Sequence, residues 1–136
     1  SVEIMKKSFD GNIINIGSMY GMVSPNFKIY QNKPNMGNAL AYNASKAAII
    51  QMTKYQAVHY AKWNIRVNCI SPGPFPRPGT FSDGKEWFES ELKEMNPLHK
   101  LGEPWHLKGG IALLASALGD YITGQNITID GGWTIW

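Results

Sequence analysis

The sequence predicts an α/β fold in which about three parallel strands are flanked by helices. Residues 13–16 are a short β-branched run bounded by Gly11 and Gly17, which is typical of a buried strand. Residues 66–70 alternate less than a half-exposed strand would, which predicts a second strand buried on both faces. Between them, an apolar-periodic run from about Leu40 to Lys62 predicts one long helix. A strand, a helical crossover and a second strand form a βαβ unit, whose strands are parallel. Residues 127–129 are expected to add the last strand.

The remaining segments complete a single domain. Residues 1–8 have the pattern of a helix end, while residues 22–38 are polar, rich in glycine and proline, and typical of a loop. The proline-rich run 72–79 predicts a stiff loop, because proline neither continues a helix nor donates to a sheet. Residues 81–95 predict an amphipathic helix that covers the site. Residues 105–116 predict a further helix whose inward face is formed by Leu107, Ile111, Leu114 and Ala115.

Composition limits the classes of function. The chain has 136 residues, 43% hydrophobic and 17% charged, which suits one soluble domain. Its net charge of +3 is scattered, which argues against a nucleic-acid surface. There is neither an apolar run long enough to cross a membrane nor a secretory signal, and Cys69 has no internal partner; a cytoplasmic location is therefore expected. His99 and His106 lack further ligands at metal spacing, so no metal site is predicted.

Tyr42 and Lys46 are the first candidate site residues. Their four-residue spacing places both side chains on one face of the long helix. A nearby ammonium favours the phenolate, so this tyrosine could give a proton to a carbonyl or take one from an alcohol. The alternative is an amphipathic tyrosine beside a solvated lysine.

Ser18 is the third candidate. It falls just beyond the first predicted strand, and open α/β sheets place ligands at the carboxyl ends of their strands. A hydroxyl there could hold a substrate oxygen near Tyr42. The alternative is a serine that makes a local turn bond.

Four ordered motifs occur over most of the chain, and together they resemble the C-terminal half of a short-chain dehydrogenase/reductase. They are residues 11–21 with Ser18, the Tyr42-x-x-x-Lys46 pair, residues 64–73 ending in Pro72-Gly73, and residues 121–132 ending in Asp130-Gly131-Gly132. The resemblance implies a Rossmann-type doubly wound parallel sheet, of which this chain holds the distal half. It also implies hydride transfer between NAD or NADP and an alcohol or ketone.

The resemblance assigns a role to each candidate. Tyr42 would be the acid/base, Lys46 would support it and bind the nicotinamide ribose, and Ser18 would orient the carbonyl. Pro72, Gly73 and Phe75 would join Tyr42 and Lys46 in binding the cofactor. The family usually adds an asparagine from the preceding helix, and no residue in 1–8 fits that position.

Some positions depart from the family pattern. Phe75 stands where the family has a small aliphatic residue, and Arg77 stands at its threonine position. Thr80 or Ser82 could supply the hydroxyl instead, and Arg77 could meet a phosphate. Because no glycine-rich phosphate turn occurs in the sequence, residues 1–136 are expected to be the catalytic half of one domain, with the N-terminal dinucleotide-binding half outside them.

The substrate and the assembly state are predicted more coarsely. The long polar loop 22–38 is similar to that of family members that act on sugars or polyols, so a small carbonyl or alcohol substrate of that kind is expected. The small-residue face of the long helix and the terminal Trp133 and Trp136 predict a homodimer or homotetramer.

Two other classes of function stay open at this stage. A degenerate relative could serve as a binding or oligomerisation module, which Phe75 and Arg77 favour. A sugar epimerase or dehydratase of the extended branch shares the tyrosine–lysine pair, but residues 65–73 and the Asp130-Gly131-Gly132 ending argue against it.

Overall fold

The computed structural model describes residues 2–30, 40–82 and 85–135. Within these ranges, three parallel strands lie in the order β1-β2-β3, with helices before, between and after them. This arrangement confirms the predicted α/β fold. The strands are β1 (Gly11–Ile16), β2 (Ile65–Pro72) and β3 (Asn126–Ile129), and the helices are α1 (Val2–Ser8), α2 (Leu40–Tyr60), α3 (Glu86–Glu94) and α4 (His106–Ala115).

The central strand β2 carries the core of the sheet. It pairs with β1 from Gly11↔Ile65 onward and with β3 through Pro72↔Ile129. Its side chains are buried along nearly the whole strand, with Arg66 partly exposed. Such continuous burial is expected of a parallel strand covered on both faces, and it confirms the prediction made from the unalternating sequence.

The boundary at Pro72 differs from the prediction. Pro72 is the last residue of β2, whereas the sequence predicted it to lie in the following loop. A proline is tolerated here because the next ladder hydrogen bond is donated by Gly73, whose N–H lies 3.0 Å from the carbonyl oxygen of Ile129.

Helix α3 begins later than predicted. Residues 78–82 form turns instead of helix, and the N–H of Thr80 donates to the carbonyl of Arg77 at 3.0 Å. The proline and glycine just before this point favour a turn over a helix start. The helix that follows buries Phe88 and Leu92, as its amphipathic pattern predicted.

The inward face of α4 was predicted only in part. Leu114 is fully buried, but Ile111 and Ala115 are exposed. The reason is Gly110, which faces the sheet so closely that an added Cβ would lie 2.6 Å from Cδ1 of Ile129. A glycine has taken the inward position that periodicity assigned to larger residues.

Helix α2 packs against β2 through Thr53 and Ala57, which are buried. The amide nitrogen of Asn15 on β1 donates to the Thr53 hydroxyl at 2.9 Å, which fixes the helix along the sheet. The small-residue face of this helix, which predicted a subunit contact, consists of Ala44, Ala47 and Ala48 and is exposed in the chain, as is Met52.

The C-terminal turn is built on Asp130. Its carboxylate accepts hydrogen bonds from the N–H of Gly132, at 2.9 Å, and from the N–H and hydroxyl of Thr134, at 3.0 and 2.8 Å. Gly131 has a φ of +68°, a left-handed conformation that favours glycine. The Asp-Gly-Gly motif therefore has a structural explanation in this chain.

Trp133 corrects one prediction. Its side chain is only 5% exposed and packs inside the chain with Met19, Tyr20 and Phe88, so it does not offer the subunit contact expected of it. Trp136 and residues 31–38 of the predicted loop lie outside the described residues. Across the described ranges, no helix is both long enough and apolar enough to cross a bilayer.

Candidate active site

Tyr42 and Lys46 lie together on the first two turns of α2. The Lys46 Nζ is 5.6 Å from the centroid of the Tyr42 ring, as their spacing predicted. The Tyr42 side chain is 40% exposed, so its phenol is open to a ligand. An ammonium held beside a phenol stabilises negative charge that develops on the phenol oxygen.

The lysine is itself held by the sheet. Its Nζ donates to the carbonyl oxygen of Ile16 at 2.9 Å, and Ile16 is the last residue of β1. This bond attaches the start of α2 to the carboxyl end of the first strand. The pair is thereby placed at the edge where parallel sheets bind ligands.

Ser18 follows β1 by two residues and is only 6% exposed. Its Oγ accepts a hydrogen bond from the N–H of Tyr20 at 3.2 Å and so caps the 3-10 turn Met19–Gly21. The local turn bond weighed as the alternative is therefore present. In this bond the Ser18 hydroxyl oxygen is the acceptor, and the Ser18 O–H group is not the donor.

Two glycines allow close packing of the serine turn, Gly21 against α2 and Gly17 against β2. An added Cβ on Gly21 would lie 2.7 Å from the backbone carbon of Lys46, and one on Gly17 would lie 2.5 Å from the Ser71 hydroxyl. Both distances are shorter than real Cβ contacts, so each site needs glycine. The sequence predicted Gly17 as the end of a strand, and no pattern in it indicated that Gly21 lies against Lys46.

The loop after β2 is tightly packed. A Cβ on Gly73 would lie 2.5 Å from the Cα of Asp130, and one on Gly102 would lie 2.5 Å from the ring of Phe75. The N–H of Gly102 also donates to the carbonyl of Pro74 at 2.9 Å. The ring of Phe75 thus packs on the chain itself, and the cofactor contacts assigned to Pro72, Gly73 and Phe75 stay predictions.

Two cavities adjoin these elements. One, of about 450 Å³, lies between the loop after Ser18 and the end of α3, where Ser24, Asn26, Glu94 and Trp133 contribute to its lining. The other, of about 760 Å³, is lined in part by Arg77, Thr80 and Ser82. The two hydroxyl residues proposed to replace the family's threonine therefore face the same space as the arginine.

Tyr20 is a site neighbour that sequence reasoning missed. Its side chain is 6% exposed, and its hydroxyl lies 3.4 Å from that of Tyr30. Burial, followed by the hydrogen bond with Tyr30, raises the pKa of Tyr20 well above its ordinary value. No spacing in the sequence links these two tyrosines, since the contact depends on the fold of the loop between them.

The remaining titratable candidates do not form a second centre. Among the described residues, no group of three or more His, Cys, Asp or Glu side chains is arranged to hold a metal ion. Cys69 is fully buried in β2, and burial raises the pKa of its thiol, as suits a small core residue.

A family model and the sequences of known proteins both match this chain over most of its length. A family model described as enoyl-(acyl carrier protein) reductase matches residues 1–134. The 7alpha-hydroxysteroid dehydrogenase of Bacteroides fragilis is 36% identical over 134 residues, covering 98% of this chain and 48% of the relative. Galactitol 2-dehydrogenase (L-tagatose-forming) of Cereibacter sphaeroides is 35% identical over 128 residues, covering 93% and 46%.

The fold agrees with these matches. The crystal structure of a short chain dehydrogenase from Leptospira borgpetersenii with bound NAD+ superposes with a TM-score of 0.84 and 38% identity, over 97% of this chain and 48% of that one. The chain spans about half the length of the relatives it matches. Its motifs, its parallel sheet and the match over residues 1–134 show that the chain belongs to the short-chain dehydrogenase/reductase family.

Proposed function

We propose that the protein containing this chain is an NAD(P)-dependent oxidoreductase that transfers hydride between a nicotinamide and an alcohol or ketone. The observation that carries the proposal is the placement of Lys46. Its Nζ lies 2.9 Å from the carbonyl oxygen of Ile16 and 5.6 Å from the Tyr42 ring centroid. An acid/base pair is thereby held at the ligand-binding edge of the sheet. Family membership and the names of the relatives support the same reaction class.

The residues have distinct tasks in this mechanism. A bound nicotinamide supplies or accepts the hydride at the substrate carbon. In reduction, the Tyr42 phenol donates its proton to the carbonyl oxygen, and in oxidation the phenolate takes the proton from the alcohol. Lys46 stabilises the phenolate that reduction leaves behind. The Ser18 O–H donates to the substrate oxygen and so orients the carbonyl toward Tyr42.

The donors of this chain suit the nicotinamide end of the cofactor. An ammonium carries three N–H donors, and the bond to Ile16 uses one of those on Lys46, so the others are suited to ribose hydroxyls. The backbone of Pro72 and Gly73 and the residue Phe75 would lie along the same edge. Pyrophosphate contacts are assigned to a part of the protein outside residues 1–136, because the sequence has no glycine-rich phosphate turn.

The substrate is proposed to be a sugar or polyol. The cavity of about 450 Å³ is lined by the polar residues Ser24, Asn26 and Glu94, together with Trp133. Carboxylate and amide groups hydrogen-bond sugar hydroxyls, and an aromatic ring packs on the apolar face of a sugar. The galactitol dehydrogenase among the relatives supports this class.

The whole protein is further proposed to be a homodimer or homotetramer in the cytoplasm. Helix α2 leaves large apolar side chains exposed at Leu40, Tyr55 and Val58, which suits a subunit contact. The single cysteine, Cys69, is buried as a free thiol, which suits a reducing compartment.

The test is a substrate panel on the complete protein. Purified enzyme is incubated with NAD+ or NADP+ and with polyols, secondary alcohols and hydroxysteroids, and formation of the reduced nicotinamide is followed. Saturable turnover of a polyol supports both parts of the proposal. Turnover confined to apolar alcohols overturns the substrate class alone. Cofactor binding without any turnover would favour the non-catalytic module.

A further inference from the structure

The turn that carries Ser18 also carries a buried phenol. The N–H of Tyr20 donates to the Ser18 Oγ at 3.2 Å, so the two residues share one rigid 3-10 turn. The Tyr20 ring is buried in a hydrophobic cluster, and its hydroxyl lies 3.4 Å from that of Tyr30. Ser18 is therefore linked to Tyr30 through two hydrogen bonds and the side chain of Tyr20.

Tyr30 contacts α3 on its other side. Its ring centroid lies 5.6 Å from that of Phe88, and the two rings are tilted by 51°. Phe88 is a buried residue of α3 and also packs against Phe81, with centroids 6.2 Å apart. A continuous set of contacts thus joins the serine turn, the loop that follows it and α3.

The charge state of Tyr20 suits a structural hydrogen bond. Burial raises the pKa of Tyr20, the bond with Tyr30 raises it further, and the nearby Tyr30 and Tyr42 add to the effect. Its phenol therefore stays neutral at physiological pH and keeps its O–H. This separates Tyr20 from Tyr42, which has to exchange a proton in each turnover.

We propose that Tyr20 and Tyr30 are positioning residues whose phenol–phenol bond couples the seating of α3 to the position of Ser18. When α3 is packed as in the structure, the Phe88 ring contacts Tyr30 and the Tyr30 hydroxyl bonds that of Tyr20. The N–H of Tyr20 in turn bonds the Ser18 Oγ and stabilises its turn. When α3 lifts, the turn loses this support. The catalytic consequence rests on the proposed function, whereas the coupling itself is a property of the fold.

The coupling is tested without any assay of activity. Amide hydrogen exchange is measured on the complete protein and on its Tyr30→Phe variant, which keeps the ring against Phe88 and removes the hydroxyl. Exchange is expected to rise in residues 19–23 and in 86–94 together, while β2 is unchanged. The control is Tyr121→Phe, the same change at a fully exposed tyrosine, which should alter neither segment. A rise in only one of the two segments, or in neither, would overturn the coupling.

The positioning role is tested by kinetics with Tyr20→Phe, Tyr30→Phe and the double variant. Each single variant is expected to raise the substrate KM about fivefold, because the closed arrangement loses one hydrogen bond, with kcat lowered less than KM is raised. The double variant should equal the singles, since both changes remove the same bond. The positioning role would be overturned if the change in KM of the double variant were the product of the two single changes, or if the single variants left KM unchanged. If the wild-type protein shows no turnover at all, the proposed function fails, and the exchange experiment still decides the coupling.

Discussion

The Nζ of Lys46 donates a hydrogen bond to the carbonyl oxygen of Ile16 at 2.9 Å, joining the first turns of α2 to the last residue of β1. This bond fixes the ammonium at the carboxyl edge of the sheet and leaves it beside the Tyr42 ring. The same lysine therefore serves the fold and the site. Its replacement is expected to disturb both in a measurable way.

Lys46→Met should lower kcat by about 10²–10³-fold, because the acid/base tyrosine loses the charge that supports its phenolate. The same change should weaken cofactor binding, since the ammonium is proposed to contact the ribose. Steady-state kinetics and a titration of nicotinamide fluorescence measure the two effects. Lys54→Met, at an exposed lysine of α2, is the matched control. Loss of turnover with cofactor affinity fully retained would contradict the ribose contact.

Gly21→Ala should destabilise the protein by about 1–3 kcal/mol, because the new methyl group meets backbone atoms that cannot move aside without shifting α2. The added Cβ would lie 2.7 Å from the carbon of Lys46. Gly109→Ala is the control, since nothing lies within 4 Å of its Cβ and alanine favours a helix. Urea unfolding compares the two variants. If the two variants had equal free energies of unfolding, Gly21 could not be in tight contact with the backbone of α2.

The Cys69 thiol should resist alkylation in the native state and react once the protein is unfolded. Burial raises its pKa, so the folded protein keeps the proton to a higher pH than the unfolded chain does. Its contribution to stability is thus complete below the unfolded pKa and is lost as the pH rises beyond it. The decline in stability above about pH 8.5 should be shallower in Cys69→Ala. A steeper decline in the variant would contradict this sign.

Residues 1–136 expressed by themselves should not catalyse hydride transfer. No glycine-rich turn is present to hold the pyrophosphate, so positioning that contributes roughly 7–11 kcal/mol to lowering the barrier is largely lost. In the described sheet, β1 is an edge strand, which favours association of the isolated chain. Titration of NADH and NADPH, followed by nicotinamide fluorescence, tests the expectation. Saturable micromolar binding with reduction of a ketone would show that these residues suffice.

Sequence patterns predicted the features that depend on residues close together along the chain. The spacing of Tyr42 and Lys46 fixes their shared helical face, and the weak alternation of residues 66–70 reflects burial on both sides of a sheet. The prediction of a subunit contact for Trp133 was wrong because an apolar C-terminal segment has the same sequence pattern whether it packs inside its own chain or against a partner. Its burial depends on α3, which lies some forty residues away in sequence.

The contacts around the site could not be predicted for a related reason. The bond between Tyr20 and Tyr30 and the close approach of Gly21 to Lys46 join segments that meet only after the sheet and α2 have formed. Neither contact has a repeating period in the sequence. A glycine pattern suggests a turn, but it does not say which backbone will lie against that turn.

The most direct measurement of the proposed chemistry is the turnover of Tyr42→Phe in the complete protein, with the accepted alcohol or ketone at saturating cofactor. The ring and its packing are kept while the transferable proton is removed, so kcat should fall by about 10²–10⁴-fold with little change in stability. Tyr121→Phe, the same change at a fully exposed tyrosine, should retain full activity. If Tyr42→Phe kept a near-normal rate, the proton would have to come from another group, and the account of this site would be contradicted.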